Sequence, residues 1–179
     1  MGQALLEEDH EAVGKLLEEL RAGLRSGTDA ETTYGMLDRV WARLAVHIRA
    51  EHLCLFPALL RARRVPCDRQ HGDIAPHAEV ESTIEHLRSD HDFFMRELAA
   101  AINTLRGLLS DPARYDTKAE MEGVRRAVEA VAARLEEHNA LEEERVYSWT
   151  QQLMPGEEAQ LAVDIRRELA NLPPRFNHG

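Results

Sequence analysis

The chain has 179 residues, of which 44% are hydrophobic and 30% are charged, which is enough for one globular domain with a substantial core. Its 22 basic and 32 acidic residues give a formal net charge of −10, which argues against a nucleic-acid-binding surface and against binding to anionic membranes. No apolar run approaches the roughly 20 residues that span a bilayer. The two cysteines form no CxxC pattern, and the acidic N-terminus lacks a signal-peptide pattern. We therefore expect a cytoplasmic protein.

Apolar side chains recur at three- and four-residue steps over most of the chain, which is the spacing of amphipathic helices. Long helices are predicted over residues 3–25, 30–64, 78–109 and 114–152, and a short helix that ends near residue 172 follows them. Pro57 lies inside the second helix and predicts a kink, because proline cannot donate to the carbonyl four residues earlier. Residues 65–77 contain two prolines and one glycine and are predicted to form the one long loop.

Four long helices that are joined mostly by short connections fold most simply as an up-down-up-down bundle. The predicted fold class is therefore all-α, a four-helix bundle with a short extra C-terminal helix. We assign residues 1–153 to the bundle and residues 154–179 to the short helix and a tail.

Two histidine–glutamate pairs, His47 with Glu51 and His138 with Glu142, lie inside the second and fourth helices. The members of each pair are four residues apart, so both side chains project from the same helix face about one turn apart. Their neighbours on that face are apolar, and a carboxylate in an apolar core is costly unless positive charge compensates it. A shared metal site is the simplest explanation for two such pairs.

Histidines also lie on the apolar faces of the other two long helices, at His10 and His91. About 17 residues, or roughly 25 Å of helix, separate His10 from the first turn, and about 17 more lead from that turn to His47. Glu51 precedes the long loop by about 12 residues and His91 follows it by about 12, so these two also match in height. All six side chains can therefore meet in one layer of the bundle.

Four imidazoles and two carboxylates suit a pair of first-row transition metals. The two glutamates could bridge the metals, while the histidines fill terminal positions and leave a position open for a small ligand. Iron is the preferred metal, because mixed nitrogen and carboxylate ligation with open positions suits oxygen chemistry, while manganese and zinc stay possible. The alternative interpretation is two buried histidine–glutamate pairs that only hydrogen-bond within the core.

Other polar and aromatic residues are weaker candidates for the site. Four histidines are expected to face solvent or to lie in loops: His52, His71, His77 and His178. His86 is expected, at most, beside the ligands. Three phenols could lie near the metals, although nothing in the spacing selects one of them: Tyr34, Tyr115 and Tyr147. Leu44, Phe94 and Leu135 are predicted to be the pocket walls, although ordinary core packing accounts for them equally well. Cys54 is predicted to be a small buried apolar residue.

The order H…HxxxE…H…HxxxE on four helices, with Phe56-Pro57 following Glu51, resembles the hemerythrin-like, or HHE cation-binding, family over about residues 1–150. The resemblance implies a four-helix bundle with two Fe ions in a non-haem di-iron centre that carries an oxo or hydroxo bridge. It also implies a role for each candidate ligand, with His10, His47, His91 and His138 as terminal ligands and Glu51 and Glu142 as bridges.

The third helix departs from the oxygen-carrying members of that family, which have five histidine ligands, two of them in an HxxxH spacing on this helix. Here His86 and His91 are five residues apart, about 140° around the helix, so His86 is a poor second ligand and a coordination position stays open. The expected function is binding or sensing of a small ligand: O2, NO or H2O2. The alternatives are a di-iron enzyme with catalase-like or nitric oxide-reducing activity, and an iron storage or delivery protein.

Overall fold

Helices account for nearly all of the chain that the computed structural model describes, which comprises residues 2–64, 77–153 and 156–176. The α-helices are α1 (Gly2–Ser26), α2 (Ala30–Ala50), α3 (Phe56–Arg64), α4 (His77–Ser110), α5 (Thr117–Leu141), α6 (Tyr147–Leu153) and α7 (Glu158–Leu169). Short 3-10 turns are formed by Pro112–Arg114 and Pro174–Phe176. These ranges contain no strand, so the all-α prediction is confirmed.

The longest helices form a bundle in which α1 packs against α2 and α5, and α4 packs against the same two helices. The chain turns from α1 to α2 at Gly27, whose φ of 79° lies in the left-handed region that glycine adopts without steric cost. Asp29 then begins α2 by accepting a hydrogen bond from the Thr32 backbone N–H at 3.0 Å. The predicted helical bundle is thus confirmed.

Two π-helical turns interrupt the helices that the sequence predicts to run unbroken. The turn Glu51–Leu55 joins α2 to α3, and the turn Glu142–Val146 joins α5 to α6. In each case the N–H of the residue after the turn donates to the carbonyl of the glutamate that begins it. Pro57 follows the first turn closely, but Tyr147-Ser148-Trp149 follows the second, so proline alone does not explain them. Such turns are often found at functional sites, and both begin at a candidate metal ligand.

A polar layer divides the core of the bundle into two apolar clusters. The first cluster includes Leu6, Leu55, Ile84, Leu87 and Val146, and the second includes Val13, Leu44, Phe94, Val128 and Leu135. Along α1, His10 lies between Leu6 of the first cluster and Val13 of the second. Along α4, His91 lies between Leu87 of the first cluster and Phe94 of the second. Apolar packing therefore encloses the histidines from both ends of the bundle.

The C-terminal helix α7 packs against α1 and α2, and its buried side chains join the first apolar cluster: Leu161, Ile165 and Leu169. Arg49 of α2 also donates hydrogen bonds to the backbone carbonyls of Glu168 and Asn171, at 3.1 and 3.0 Å. These contacts hold the end of α7 and the residues after it against the bundle. The assignment of residues 154–179 to a unit separate from the bundle stays a prediction.

The predicted long loop lies outside the described residues, except for His77, where α4 begins. Among the helices that are described, none is both long enough and apolar enough to cross a membrane.

Candidate metal centre

All six side chains that the sequence singles out meet in the polar layer of the bundle. They come from four helices and the two π-helical turns: His10 from α1, His47 from α2, Glu51 from the first turn, His91 from α4, His138 from α5 and Glu142 from the second turn. Both glutamates are 0% exposed, and no histidine of the six is more than 7% exposed. The four histidines thus come from α-helices, and each glutamate is the first residue of a π-helical turn.

One group of possible metal ligands consists of His10, His47, Glu51 and Glu142. The Nε2 atom of His10 lies 3.2 Å from Nε2 of His47 and 3.2 Å from Oε2 of Glu142. The Nε2 atom of His47 lies 3.2 Å from Oε1 of Glu51. These atoms lie within 4.8 Å of one another, close enough to hold a metal ion.

A second group consists of His91, His138 and the same two glutamates. The Nε2 atom of His91 lies 3.0 Å from Nε2 of His138 and 3.2 Å from Oε2 of Glu51. The Nε2 atom of His138 lies 3.5 Å from Oε1 of Glu142. The second group therefore repeats the first, with two imidazoles and one oxygen from each glutamate.

Each glutamate turns one oxygen to each group. Glu51 directs Oε1 to His47 and Oε2 to His91, while Glu142 directs Oε2 to His10 and Oε1 to His138. A carboxylate whose two oxygens face two separate groups of ligands has the geometry of a bridge between two cations.

Two aspartates orient one histidine in each group. Asp9 Oδ2 accepts a hydrogen bond from His47 Nδ1 at 2.9 Å, and Asp90 Oδ2 accepts one from His138 Nδ1 at 3.2 Å. An arginine holds the other oxygen of each aspartate, Arg43 at Asp9 and Arg134 at Asp90. Because a carboxylate only accepts, Nδ1 of each imidazole carries a hydrogen, and in the neutral form Nε2 keeps its lone pair toward the centre.

The other two histidines also find acceptors on their outer side. His10 Nδ1 donates to Glu143 Oε1 at 3.3 Å, and His91 Nδ1 lies 2.9 Å from His52 Nε2. The tautomer that leaves Nε2 of His91 free for a metal therefore donates from Nδ1 to His52. His52, expected to face solvent or to lie in a loop, is instead half-buried beside a candidate ligand.

When the four imidazoles are neutral, the inner atoms of the six side chains are acceptors that face one another. The imidazole lone pairs converge on neighbouring nitrogens, and the oxygens of Glu51 and Glu142 accept no hydrogen bond from the described residues. Buried carboxylates in this condition are strongly destabilising unless cations compensate them. Mixed imidazole and carboxylate donors are those that first-row metals bind, so the donor set fits a pair of metal ions.

Burial and neighbouring charges shift the pKa values of the histidines in different directions. Burial, together with the nearby His91, lowers the pKa of His138 to about 4, and burial and His47 lower the pKa of His10. Burial also disfavours charge on His47, but Glu51 and then Asp9 outweigh it and raise the pKa of His47 to about 10. His138 is therefore neutral at pH 7, whereas His47 carries an additional proton that a metal bound at its Nε2 would have to displace.

Metal binding at pH 8 should release a proton from His47 to the buffer. Its pKa of about 10 keeps the imidazole protonated at pH 8, and only the neutral form can bind a metal. The same raised pKa stabilises the metal-free fold below pH 6.5, and this contribution is lost as the pH rises through about 10. Titrating Zn2+ calorimetrically in buffers of different ionisation enthalpy measures the release, and a heat independent of the buffer would contradict it.

Replacing Asp90 with asparagine should weaken metal binding by about 10- to 100-fold, the usual effect of losing an outer carboxylate. The amide can turn an N–H toward His138 Nδ1, which favours the tautomer that protonates Nε2, and Arg134 loses its charge partner. Competition with a chromogenic chelator measures the affinity for Zn2+. Asp92→Asn is the matched control, since Asp92 is exposed on the same helix, and equal affinities in the two variants would contradict the orienting role.

One sequence pattern builds the site twice. Residues 43–52 read RLAVHIRAEH and residues 134–143 read RLEEHNALEE, and an Asp-His pair begins each half at residues 9–10 and 90–91. The histidines and glutamates of this pattern are predicted from the sequence, whereas the residues that contact them from outside are not: Asp9, Arg43, His52, Asp90, Arg134 and Glu143. The shared spacing R-L-x-x-H-x-x-x-E is the signal that could have found the two arginines.

The remaining histidines lie outside the two groups. His86 is 61% exposed at its side chain, and its Nε2 lies 3.7 Å from Asp90 Oδ2, so it is beside an outer carboxylate and not at the centre. His77 lies near Glu81 at the start of α4. His71 and His178 are outside the described residues.

Of the three tyrosines, only Tyr147 reaches the polar layer, with its hydroxyl 3.4 Å from His10 Nε2. Tyr34 accepts hydrogen bonds from Arg106 on an exposed surface. Tyr115 lies against Gly107. The predicted pocket walls are buried in the second apolar cluster: Leu44, Phe94 and Leu135. Phe94 lies edge-on to His138, with the ring centroids 5.3 Å apart, and Cys54 is partly buried against the first cluster.

Comparison with protein families finds that the profile of the hemerythrin HHE cation binding domain matches residues 1–150. The matched segment includes α1 to α5, both π-helical turns and all six side chains of the polar layer. Comparison with curated proteins and with solved structures finds no match.

Proposed function

Because the chain belongs to the hemerythrin HHE cation-binding family, we propose that its six buried histidines and glutamates hold two iron ions. The ions would share both carboxylates and an oxo or hydroxo bridge. We propose further that this non-haem di-iron centre binds or senses O2, or a related small ligand such as NO or H2O2. The family and the His/Glu groups indicate cation binding, and the iron pair and its ligand are our proposal.

The sharing of Glu51 and Glu142 between the two ligand groups is the observation that supports the iron pair. A single metal would need only one group, and it would leave the imidazoles and carboxylate oxygens of the other group without a partner. Unpartnered buried carboxylates are costly, so two ions account for all the donors where one does not.

The burial of the layer supports a ligand of only a few atoms. Both glutamates are fully buried, and the apolar clusters close the layer along the bundle. Each group offers two imidazole nitrogens and two carboxylate oxygens, which leaves open positions on a first-row metal that accepts further ligands. Diatomic gases and peroxide are small enough for a position in a layer as buried as this one.

Adding ligands to the ferrous protein tests this function. The protein is reconstituted anaerobically with ferrous iron and exposed separately to O2, NO and H2O2 while its visible spectrum is recorded. We expect a new absorption band with at least one ligand and its reversal when O2 or NO is removed. A spectrum that none of the three ligands changes would overturn the proposal.

The same samples distinguish a binding protein from an enzyme. Oxygen evolved over many turnovers from H2O2, or NO consumed in excess of iron, would show catalase-like or nitric oxide-reducing activity. Iron that exchanges freely and exceeds two ions per chain would instead show storage or delivery. A stable and reversible adduct with no turnover is the result expected for binding or sensing.

A further inference from the structure

The two ligand groups differ in the ring that packs beside them. Phe56 and Tyr147 occupy equivalent places, each directly after a π-helical turn that begins with a bridging glutamate. Phe56 stacks on His91 with ring centroids 6.0 Å apart and an interplanar angle of 12°. Tyr147 stacks on His10 at the same centroid distance and 25°. The repeated halves of the site therefore differ here by one buried hydroxyl group.

The Tyr147 hydroxyl has one hydrogen-bond partner among the described residues, His10 Nε2 at 3.4 Å. The outer nitrogen of His10 carries the hydrogen that Glu143 accepts, so Nε2 is an acceptor and the phenol donates to it. The tyrosine is 0% exposed, so water does not compete for this donor. The phenol is thus aimed at the nitrogen through which His10 would bind a metal.

A metal on His10 Nε2 would use the lone pair that accepts this hydrogen bond. The buried phenol would then need another acceptor, because a buried donor without one is destabilising. The acceptors nearest that nitrogen are Glu142, whose Oε2 lies 3.2 Å away, and any small ligand bound on the same half. Phe56 offers no donor on the His91 and His138 half.

We propose that Tyr147 makes the two halves of the site inequivalent by donating a hydrogen bond to the small ligand, and so directs it to the half formed by His10 and His47. The inference rests on the proposed function and adds to it a positioning residue and a preferred half. A polar or anionic ligand gains from the phenol, because hydrogen bonds to charged acceptors are the stronger ones.

Azide binding to the ferric protein tests this role, because azide is a small anion that binds at open ferric positions and accepts hydrogen bonds. Tyr147→Phe should weaken azide binding by about tenfold, the loss expected for one hydrogen bond to a charged acceptor. The iron content should stay unchanged. Tyr34→Phe is the matched control, since it removes a phenol from an exposed surface, and it should bind azide like the original chain.

The swap Phe56→Tyr with Tyr147→Phe keeps one phenol in the layer and moves it to the other half. Under the proposal it restores azide affinity that Tyr147→Phe alone loses. Circular dichroism of each variant establishes that the bundle is folded before azide is added.

Several outcomes would overturn the inference. Equal azide affinity in Tyr147→Phe and in the original chain, both with full iron, would show that the phenol does not donate to the ligand. A phenolate-to-iron absorption band that disappears in Tyr147→Phe, or iron loss in that variant alone, would make the phenol a metal ligand instead. An original chain that holds no iron would overturn the proposed function and this inference with it, whereas one that holds iron but binds no azide would overturn the inference alone.

Discussion

Glu142→Ala should reduce the iron content from about two ions per chain to well below one, the largest effect expected for a single substitution here. Glu142 supplies one oxygen to each ligand group, at 3.2 Å from His10 Nε2 and 3.5 Å from His138 Nε2, so its removal damages both. Elemental analysis after anaerobic reconstitution measures the loss. Glu144→Ala is the matched control, because Glu144 is an exposed glutamate of the same π-helical turn.

Without metal, the Glu142→Ala variant should be more stable than the original chain. The oxygens of Glu142 accept no hydrogen bond from the described residues, so replacing the carboxylate should raise the free energy of unfolding without metal by about 1–3 kcal/mol. Urea unfolding in the presence of a chelator measures it. Full iron content in Glu142→Ala would contradict the bridging role, and a less stable metal-free variant would contradict the electrostatic explanation.

Ferrous iron should raise the thermal midpoint of the protein by roughly 16–32 °C when its free concentration is about a thousand times the Kd of each of the two ions. Linkage gives about 4 kcal/mol for each bound ion at that ratio, or about 8 kcal/mol for two, and each kcal/mol moves the midpoint of a chain of this size by about 2–4 °C. Calorimetry under anaerobic conditions measures the shift, and a chelator should reverse it.

Glu142→Ala provides the control for this shift. Its midpoint should be nearly independent of iron, because neither ligand group is complete. An equal rise in the variant and the original chain would show that iron stabilises the fold from some other place.

The helices were predictable because their signals are local. The apolar spacing predicts residues 3–25 and 78–109, and the structure has α1 over Gly2–Ser26 and α4 over His77–Ser110. The start of α5 is later than predicted, because Pro112–Arg114 forms a 3-10 turn and Asp116 is the residue that begins the helix by accepting a hydrogen bond from Ala119. Which of several nearby residues begins α5 depends on how the connection between α4 and α5 packs.

The π-helical turns were not predictable from the same signals. Apolar residues continue on the core-facing side of each turn, so the α-helical spacing passes through Glu51 and Glu142 without a visible break. A π-turn inserts one residue into a helix, and each turn here begins at a glutamate that meets histidines of other helices in the polar layer. Those contacts exist only in the assembled bundle, and the sequence of either helix alone does not show them.

The meeting of the six central side chains was predictable from helix geometry, because rise per residue fixes their height in an antiparallel bundle. Their role as metal ligands stays a prediction. The outer contacts were harder to find, since Asp9 reaches His47 on a neighbouring helix and His52 reaches His91. Those pairings depend on the rotation of one helix against another, and sequence spacing does not define that rotation.

The number and coupling of iron ions in the reconstituted protein test the central claim most directly. Elemental analysis and Mössbauer spectroscopy of the anaerobically reconstituted and then oxidised chain give both quantities. The shared glutamates predict two irons per chain that form one magnetically coupled ferric pair. A single uncoupled iron, or no iron at all, would contradict a centre built from two ligand groups.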